Sequence, residues 1–194
     1  MSSSSTTAGL VLAAGASARM GYPKALLPLP NGTPLAMHQM RLLRTAGCAR
    51  VAVVLGSTAD AIAKKITDGE VIRNPDWERG RLTSIQAGLR GLPDHRGYLI
   101  LPVDTVGIRP ETLARMLNAV TPTTLALRPL YQDQPGRVLW ISAATALEIL
   151  ALPNQDTPLD TWLGERVTGV PVEDPAVIAN INTPDDWASV RERL

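Results

Sequence analysis

Short apolar runs alternate along the chain with segments whose apolar residues have helical spacing, and this alternation limits the fold more than any other feature. The runs at residues 10–14, 51–55 and 98–101 are typical of strands that are buried on both faces. After the first run, Leu35, Met40 and Leu43 belong to an apolar face with helical spacing. Strands that alternate with helices form a parallel sheet covered on both sides. The sequence therefore predicts an α/β protein with a mostly parallel central sheet.

The remaining predicted elements and the chain length agree with one domain. Further strands are predicted near residues 71–72, 125–127 and 138–141, and a short helix over 59–66. Capping residues and prolines mark three helix starts, at Thr33–Pro34, Pro110 and Thr183–Pro184. A chain of 194 residues fits a single-domain, Rossmann-like three-layer fold. We expect residues 8–194 to form this domain, with a disordered tail at residues 1–7 and a ligand crevice at the carboxyl ends of the strands.

The first apolar run ends in a loop of small residues, glycines and cations. Gly15 and Gly21 can adopt backbone angles that are closed to other residues, and their small neighbours let backbone N–H groups approach an anion. Arg19 and Lys24 add positive charge. Because the chain has only three lysines against sixteen arginines, Lys24 indicates that a compact ammonium is needed here. The loop predicts a phosphate cradle, and the alternative is an ordinary strand-to-helix loop with solvated cations.

Three polar segments fall where the crevice is expected. Asp104 follows the strand at 98–101, where a carboxylate is costly unless it is solvated, paired or bound to a metal, although a turn aspartate is the simpler explanation. Asn182 stands in the string NINTPDD, directly before a capped helix start. Asn74, Gly80 and Ser84 lie in a loop that leads into a helix, which is either plain structure or an anion-binding helix start.

The segment from Leu12 to Lys24, LAAGASARMGYPK, is very similar to the signature loop of the MobA-like NTP transferases, which include the molybdenum-cofactor nucleotidyltransferases. The resemblance implies that residues 8–194 are a nucleotidyltransferase domain and that the loop wraps a nucleoside triphosphate, with Arg19 and Lys24 on its phosphates. The loop residues expected to bind the nucleotide are Leu12, Ala13, Ala14, Gly15, Ser17, Arg19, Met20, Gly21 and Lys24.

The other segments extend the resemblance in the same order along the chain. Asn74, Gly80 and Ser84 match a family segment that borders the nucleobase and the acceptor. Asp104 matches the aspartate that binds Mg²⁺, and Asn182 matches a residue that helps to hold the metal from the opposite side. The resemblance therefore implies that Asp104 binds nucleotide and metal, and that Arg19, Lys24 and Asp104 are catalytic.

The implied reaction is Mg²⁺-dependent nucleotidyl transfer to a phosphorylated small molecule with release of pyrophosphate. Ala14 and the single Gly21 resemble members that use CTP, which favours a molybdopterin cytidylyltransferase. Residues 136–138 and 153–160 depart from the cytidylyltransferase pattern, however. Two alternatives therefore stay open, namely transfer from another NTP or to a phosphosugar or other phosphorylated alcohol, and a non-catalytic nucleotide-binding module.

Composition limits the partners. The chain has 19 basic and 18 acidic residues, so no general nucleic-acid-binding surface is expected. No apolar run approaches the roughly 20 residues that span a bilayer, and the start lacks the pattern of a signal peptide. The single cysteine, Cys48, excludes an internal disulfide and fits the reducing cytoplasm. The implied partners are an NTP, the acceptor and, in transient contact, an enzyme that receives the finished cofactor.

Overall fold

Strand β1 (Thr7–Ala13) lies inside the sheet and pairs in parallel with β2 (Arg50–Leu55) on one side and β4 (Gly97–Pro102) on the other. The computed structural model describes residues 7–153 and 158–194, and eight strands of this part form one sheet. The remaining strands are β3 (Glu70–Arg73), β5 (Ala126–Tyr131), β6 (Gln134–Pro135), β7 (Leu139–Ser142) and β8 (Val167–Pro171).

The strand order is β3-β2-β1-β4-β7-β5-β6, with β8 beside β5. Strand β7 is antiparallel to both β4 and β5, whereas β8 pairs with β5 in parallel. The sheet is therefore mixed but mostly parallel, as the sequence predicts. Because β7 runs in the opposite direction, its first residues lie at the edge where the parallel strands end.

Helices cover both faces of the sheet and complete the three layers. Alternate strand residues enter separate cores, so that Val11 and Val53 pack on one face while Leu10 and Val54 pack on the other. The first core receives α1 (Leu35–Thr45), α4 (Pro110–Asn118) and α7 (Pro184–Val190), and the second receives α3 (Arg81–Gly91), α5 (Ala143–Ala151) and α6 (Leu159–Leu163). Helix α2 (Ala59–Ala63) adds Ile62 to the first core.

Two predicted helix starts are confirmed, and one is wrong by a residue. Helix α4 opens with Pro110 at its first turn, and α7 has a capping box between Thr183 and Asp186. Helix α1 instead begins at Leu35, and Thr33 is not its cap. The reason is that Pro34 is extended and forms an antiparallel bridge with Pro28, which holds the preceding residues out of the helix.

Other boundaries differ by a few residues. Strand β1 begins at Thr7, which the sequence assigns to the tail, and the prediction for residues 1–6 lies outside the described part of the chain. Helix α2 ends at Ala63, three residues before the predicted end. The sequence does not predict four elements, because they are short or lack a clear amphipathic period. They are strands β6 and β8 and helices α5 and α6. Within the described residues, no helix combines the length and hydropathy needed to cross a membrane.

Candidate active site

A cavity of about 450 Å³ opens at the edge of the sheet where the parallel strands end. It lies between the loop after β1, the residues after β4, the residues just before β7 and the first residues of α3 and α6. The crevice predicted at the carboxyl ends of the strands is therefore present. Of the predicted nucleotide-binding residues, those that line the cavity are Leu12, Ala13, Ala14, Gly15, Ser17, Lys24, Gly80, Ser84 and Asp104.

The loop after β1 is held by contacts that the sequence did not reveal. Gly21 has the left-handed backbone expected of it, with φ 65°, but Gly15 does not; the second left-handed position falls on Ser17, with φ 55°. The hydroxyl of Ser17 accepts the backbone N–H of Lys24 at 3.1 Å, which fixes the lysine relative to the loop. Met20 is buried in the core, so it anchors the loop, and its side chain does not line the cavity.

Four predicted residues converge beside this loop although they are far apart in sequence. The ammonium of Lys24 donates to Asp104 Oδ2 and to Asn182 Oδ1, both at 3.1 Å. The guanidinium of Arg19 donates to the same Asn182 oxygen, also at 3.1 Å. The side chains of Lys24 and Asp104 are only 13% and 18% exposed, so water screens their attraction weakly. Arg19 and Asn182 lie beside the cavity and do not line it.

Asp104 is positioned through its backbone. Buried Gln39 of α1 donates to the carbonyls of Val103 and Thr105 at 3.2 and 2.8 Å, one on each side of the aspartate. The carbonyl of Asp104 itself accepts the N–H of Ile181 at 2.9 Å, next to Asn182. The helix packed on one face of the sheet therefore holds the loop that carries the carboxylate. Sequence reasoning missed Gln39, whose only signal is a polar residue within an apolar helix face.

Asn182 is positioned by the cap of α7. The carboxylate of Asp186 accepts the backbone N–H groups of Asn182 and Thr183 at 2.7 and 2.9 Å. These hydrogen bonds, that of Asn182 first, hold the pKa of Asp186 below its usual value, because they favour the charged carboxylate. The capping box that the sequence predicts as plain structure therefore also orients a site residue.

The segment from Asn74 to Ser84 forms one wall of the cavity. Asn74 is buried, and its amide donates to the hydroxyls of Thr83 and Ser84 at 3.0 Å each. This amide therefore holds the first turn of α3, and Asn74 does not line the cavity. Gly80 and Ser84 do reach that surface. The roles of all the predicted residues in binding remain predictions.

Three arginines and an aspartate that sequence reasoning did not select also line the cavity. Arg137 lies 3.5 Å from Asp104 Oδ1 and donates to the Thr105 hydroxyl at 3.2 Å. Asp160 pairs with Arg128 and lies 3.7 Å from Arg81. Burial lowers the pKa of the Arg81 guanidinium, Asp160 raises it, and the nearby arginines lower it further. Arg137 and Asp160 belong to the two segments that depart from the family pattern, of which residues 154–157 lie outside the described part.

Comparison with known proteins points to one family. The sequence model of the MobA-like NTP transferase domain matches residues 9–170. The chain is 26% identical over 190 residues to the molybdenum cofactor cytidylyltransferase of Escherichia coli K12, with 95% of each chain covered. It is 31% identical over 192 residues to the molybdenum cofactor guanylyltransferase of Cupriavidus metallidurans, with 92% of this chain and 91% of the other covered.

Solved structures share this fold. The crystal structure of Rv0371c from Mycobacterium tuberculosis H37Rv matches with a TM-score of 0.80 and 28% identity, covering 97% of this chain and 100% of that one. A second structure of that protein, a complex with manganese, matches with a TM-score of 0.75 and 26% identity over the same shares of the two chains.

Proposed function

This chain belongs to the MobA-like NTP transferase family, and on that premise we propose that it moves CMP from CTP to a phosphorylated small-molecule acceptor, with molybdopterin as the first candidate. Membership makes the chain a nucleotidyltransferase. The two molybdenum cofactor transferases described above, which match nearly its whole length, support the proposed acceptor. The observation that carries the proposal is the convergence of Arg19, Lys24, Asp104 and Asn182 beside the cavity.

In the proposed reaction, an oxygen of the acceptor phosphate attacks the α-phosphorus of the nucleotide in line. A phosphorus–oxygen bond to the acceptor forms while the bond to the bridging oxygen breaks, and pyrophosphate leaves with that electron pair. Lys24 and Arg19 bind the phosphates and offset the charge that builds up on them. An acceptor phosphate is already an anionic nucleophile, so the reaction requires no general base, and no histidine lines the described cavity.

Asp104 and Asn182 are the residues that we propose to hold a divalent cation. Oδ2 of Asp104 and Oδ1 of Asn182 both lie 3.1 Å from one ammonium nitrogen, so the two oxygens are already arranged around a single cation. Carboxylate and amide oxygens suit Mg²⁺, which takes its other ligands from water and phosphates. When bound, the ion supplies polarisation of the phosphoryl group and neutralises charge on the leaving group. The manganese in the mycobacterial relative supports a divalent cation.

This donor set is sparse. Within residues 7–153 and 158–194, no group of three or more histidine, cysteine, aspartate or glutamate side chains is arranged to hold a metal. A site with one carboxylate fits an ion that arrives with its nucleotide better than a permanently bound metal. We therefore expect the cation to bind tightly only together with the triphosphate.

CTP is proposed because of two loop residues. Ala14 lines the cavity, and Gly21 is the single glycine before Tyr22, the pattern that resembles members using CTP. GTP is the second candidate, since the guanylyltransferase relative is the more identical of the two. A phosphosugar or other phosphorylated alcohol is the second candidate for the acceptor, because Arg137 and Asp160 depart from the cytidylyltransferase pattern on that side. We place the reaction in the cytoplasm, with transient transfer of the product to a receiving enzyme.

A panel of thermal unfolding measurements with CTP, GTP, UTP and ATP, each with and without Mg²⁺, tests the proposal. A ligand that binds only the folded state at about 100 times its dissociation constant adds roughly 2.7 kcal/mol, which is readily detected. We expect the largest shift for CTP with Mg²⁺. A larger shift for another nucleotide would move the assignment to that donor. No shift with any of the four would contradict nucleotide binding by this cavity.

A further inference from the structure

One end of the cavity carries positive charge that the proposed chemistry does not use. Arg81 begins α3, Arg128 belongs to β5, and Arg137 lies two residues before the first residue of β7. All three line the cavity, and we refer to them together as the arginine wall. Few carboxylates balance this charge. The charged residues that line the described cavity are four cations, which include Lys24, and only two carboxylates, those of Asp104 and Asp160. The cavity therefore has an excess of positive charge.

The ion pairs within the wall are open to exchange. Asp160 forms ion pairs with both Arg128 and Arg81. Its side chain is 57% exposed, so solvent screens these pairs. Asp104 serves both Lys24 and Arg137. A guanidinium binds the oxygens of a phosphate in pairs, and a phosphate monoester carries up to twice the charge of a carboxylate. An anion that enters the cavity can therefore replace part of this pairing.

Arg81 has hydrogen-bond donors that the described part of the protein leaves unsatisfied. Its Nε and Nη2 atoms are buried and have no hydrogen-bond partner among the described residues. Buried donors without partners are costly, and they are rare in folded proteins. The remaining nitrogen, Nη1, is 3.7 Å from Asp160, which is too long for a hydrogen bond. The side chain as a whole is 35% exposed, so the guanidinium can turn towards a ligand that accepts hydrogen bonds at this end of the cavity.

Two members of the wall, Arg128 and Arg137, lie on the acceptor side of the reaction centre, and Arg81 of α3 is joined to Arg128 through Asp160. In the sheet, β4 and Asp104 separate the loop after β1 from β7 and β5. The loop after β1 carries Lys24 and Arg19, the cations assigned to the nucleotide. Arg137, 3.5 Å from Asp104, is the member of the wall nearest the centre. An anion bound to the wall therefore lies opposite the nucleotide phosphates, with the carboxylate of Asp104 between the anion and those phosphates.

We infer that the arginine wall is the acceptor subsite and that it selects a phosphate monoester dianion as the attacking group. This inference rests on the proposed function, because it takes the loop after β1 as the nucleotide side. It adds the residues that bind and select the acceptor. Neutral alcohols and singly charged carboxylates bind this subsite weakly, since neither matches the charge and the number of acceptor oxygens of a phosphate dianion.

The test measures binding of the two substrates separately. Arg81→Gln, Arg128→Gln and Arg137→Gln each remove one guanidinium, and Arg90→Gln is the control, because Arg90 is an exposed arginine on the same helix as Arg81. Calorimetry gives the affinity of each protein for the preferred nucleotide with Mg²⁺. A second titration adds inorganic phosphate, and separately acetate, to protein saturated with the α,β-methylene analogue of that nucleotide.

We expect each wall variant to bind phosphate about tenfold more weakly or worse, with nucleotide affinity changed less than threefold. Arg90→Gln should match the wild type in both titrations, and acetate should bind the wild type at least tenfold more weakly than phosphate. Equal affinity for phosphate and acetate would overturn the dianion assignment. Unchanged phosphate affinity in all three variants would overturn the subsite.

Two further outcomes separate this inference from the proposed function. Variants that lose nucleotide but keep phosphate would assign the wall to the donor, which overturns the inference and leaves the proposed function standing. If the wild type binds no nucleotide, the proposed function fails, and the phosphate titration is repeated on the protein alone to test the wall as an anion site. For variants that do not fold, phenylglyoxal labelling of the wild type replaces the titration: phosphate should protect Arg81, Arg128 and Arg137 but not Arg90, and equal labelling with and without phosphate would overturn the subsite.

Discussion

The ammonium of Lys24 is held between a carboxylate after β4 and an amide before α7. Its distances to Asp104 and Asn182 are equal at 3.1 Å, and Arg19 reaches the same amide oxygen. Two oxygen ligands and two cations thus share one small volume. We expect the cations to move towards the phosphates when nucleotide binds, because a triphosphate offers them more negative charge than one carboxylate does.

Lys24→Met tests this role, since methionine keeps an apolar stem of similar length and removes the charge. We expect pyrophosphate release to fall by about 100- to 1,000-fold, the loss typical of removing one group that stabilises developing charge. Nucleotide affinity should fall far less, because Arg19 and the loop backbone remain. The measurement is single-turnover pyrophosphate release together with nucleotide titration.

Lys64→Met is the matched control, because Lys64 is exposed and lies just after α2, outside the cavity lining. It should release pyrophosphate at the wild-type rate. If Lys24→Met kept more than a tenth of the wild-type rate, the catalytic role of Lys24 would be refuted. A different result would favour a non-catalytic nucleotide-binding module. In that case Lys24→Met and the wild type would both bind nucleotide, and neither would release pyrophosphate with any acceptor.

At the scale of single elements, the loop after β1 depends on the turn after β2. A Cβ atom on Gly56 would lie 2.3 Å from the carbonyl oxygen of Ala14 and 2.6 Å from the side chain of Trp77. The glycine therefore lets two loops of the candidate site approach each other. Gly15, which lines the cavity, has no atom within 4 Å of the corresponding position.

Gly56→Ala and Gly15→Ala together test whether the close approach at Gly56 matters for stability, because Gly15 has open space at the corresponding position. We expect Gly56→Ala to lower the free energy of unfolding by about 1–3 kcal/mol, since the clash involves backbone and the base of a large side chain. Gly15→Ala should stay within about 0.5 kcal/mol of the wild type. Urea-induced unfolding measures both. Equal effects of the two changes would show that the close approach at Gly56 does not decide stability.

Helix α7 gives a prediction about pH. Hydrogen bonds to the N–H groups of Asn182 and Thr183 hold the pKa of Asp186 below its usual value, so its carboxylate binds a proton less readily in the folded chain than in the unfolded one. This contribution to stability is therefore present above the ordinary aspartate pKa and is lost as the pH falls through the lowered one. Asp186→Asn should remove that dependence, so its melting temperature should fall less between pH 5 and pH 3 than that of the wild type.

The neighbouring Asp185→Asn is the control for this experiment, because Asp185 is exposed and the capping box uses Asp186. Thermal unfolding across the pH range gives the comparison. A wild type and an Asp186→Asn variant with parallel profiles would mean that the cap does not contribute through its charge.

At the scale of the whole molecule, the sheet is packed on both faces. The reactivity of the single thiol can therefore be used to measure whether one of the two cores is open. Cys48 is buried in the core that also holds α1 and α4, and burial raises the pKa of its thiol to about 12. The thiolate is the reactive form of cysteine, so the folded protein should protect this residue both sterically and chemically.

Labelling of Cys48 by a disulfide reagent at pH 8 should therefore be slow in the folded protein and complete in urea. Across a urea titration, its extent should follow the loss of helical circular dichroism, because exposing the thiol requires opening the core. Rapid labelling without denaturant would show that the core opens locally around Cys48.

Local sequence patterns were sufficient for the elements with strong periodicity and for the family resemblance of the loop after β1. The buried strands β1, β2 and β4, the proline-started α4 and the capped α7 follow from residues that lie next to one another. The three-layer fold is confirmed for the same reason, since the alternation of strands and helices is a local property. The family resemblance of the loop from Leu12 to Lys24 is also local, and the family is confirmed.

The tertiary structure alone revealed which distant side chains meet. Lys24, Asp104 and Asn182 lie 80 and 78 positions apart. Lys24 and Asp104 follow the parallel strands β1 and β4, which end at the same edge, and the hydrogen bond from Ile181 to the carbonyl of Asp104 brings Asn182 beside them. The arginine wall was hidden for a different reason: β7 runs antiparallel, which places Arg137 at the same edge although it precedes its strand. Strand direction and order depend on contacts between residues far apart in the chain, and a single sequence read locally does not contain them.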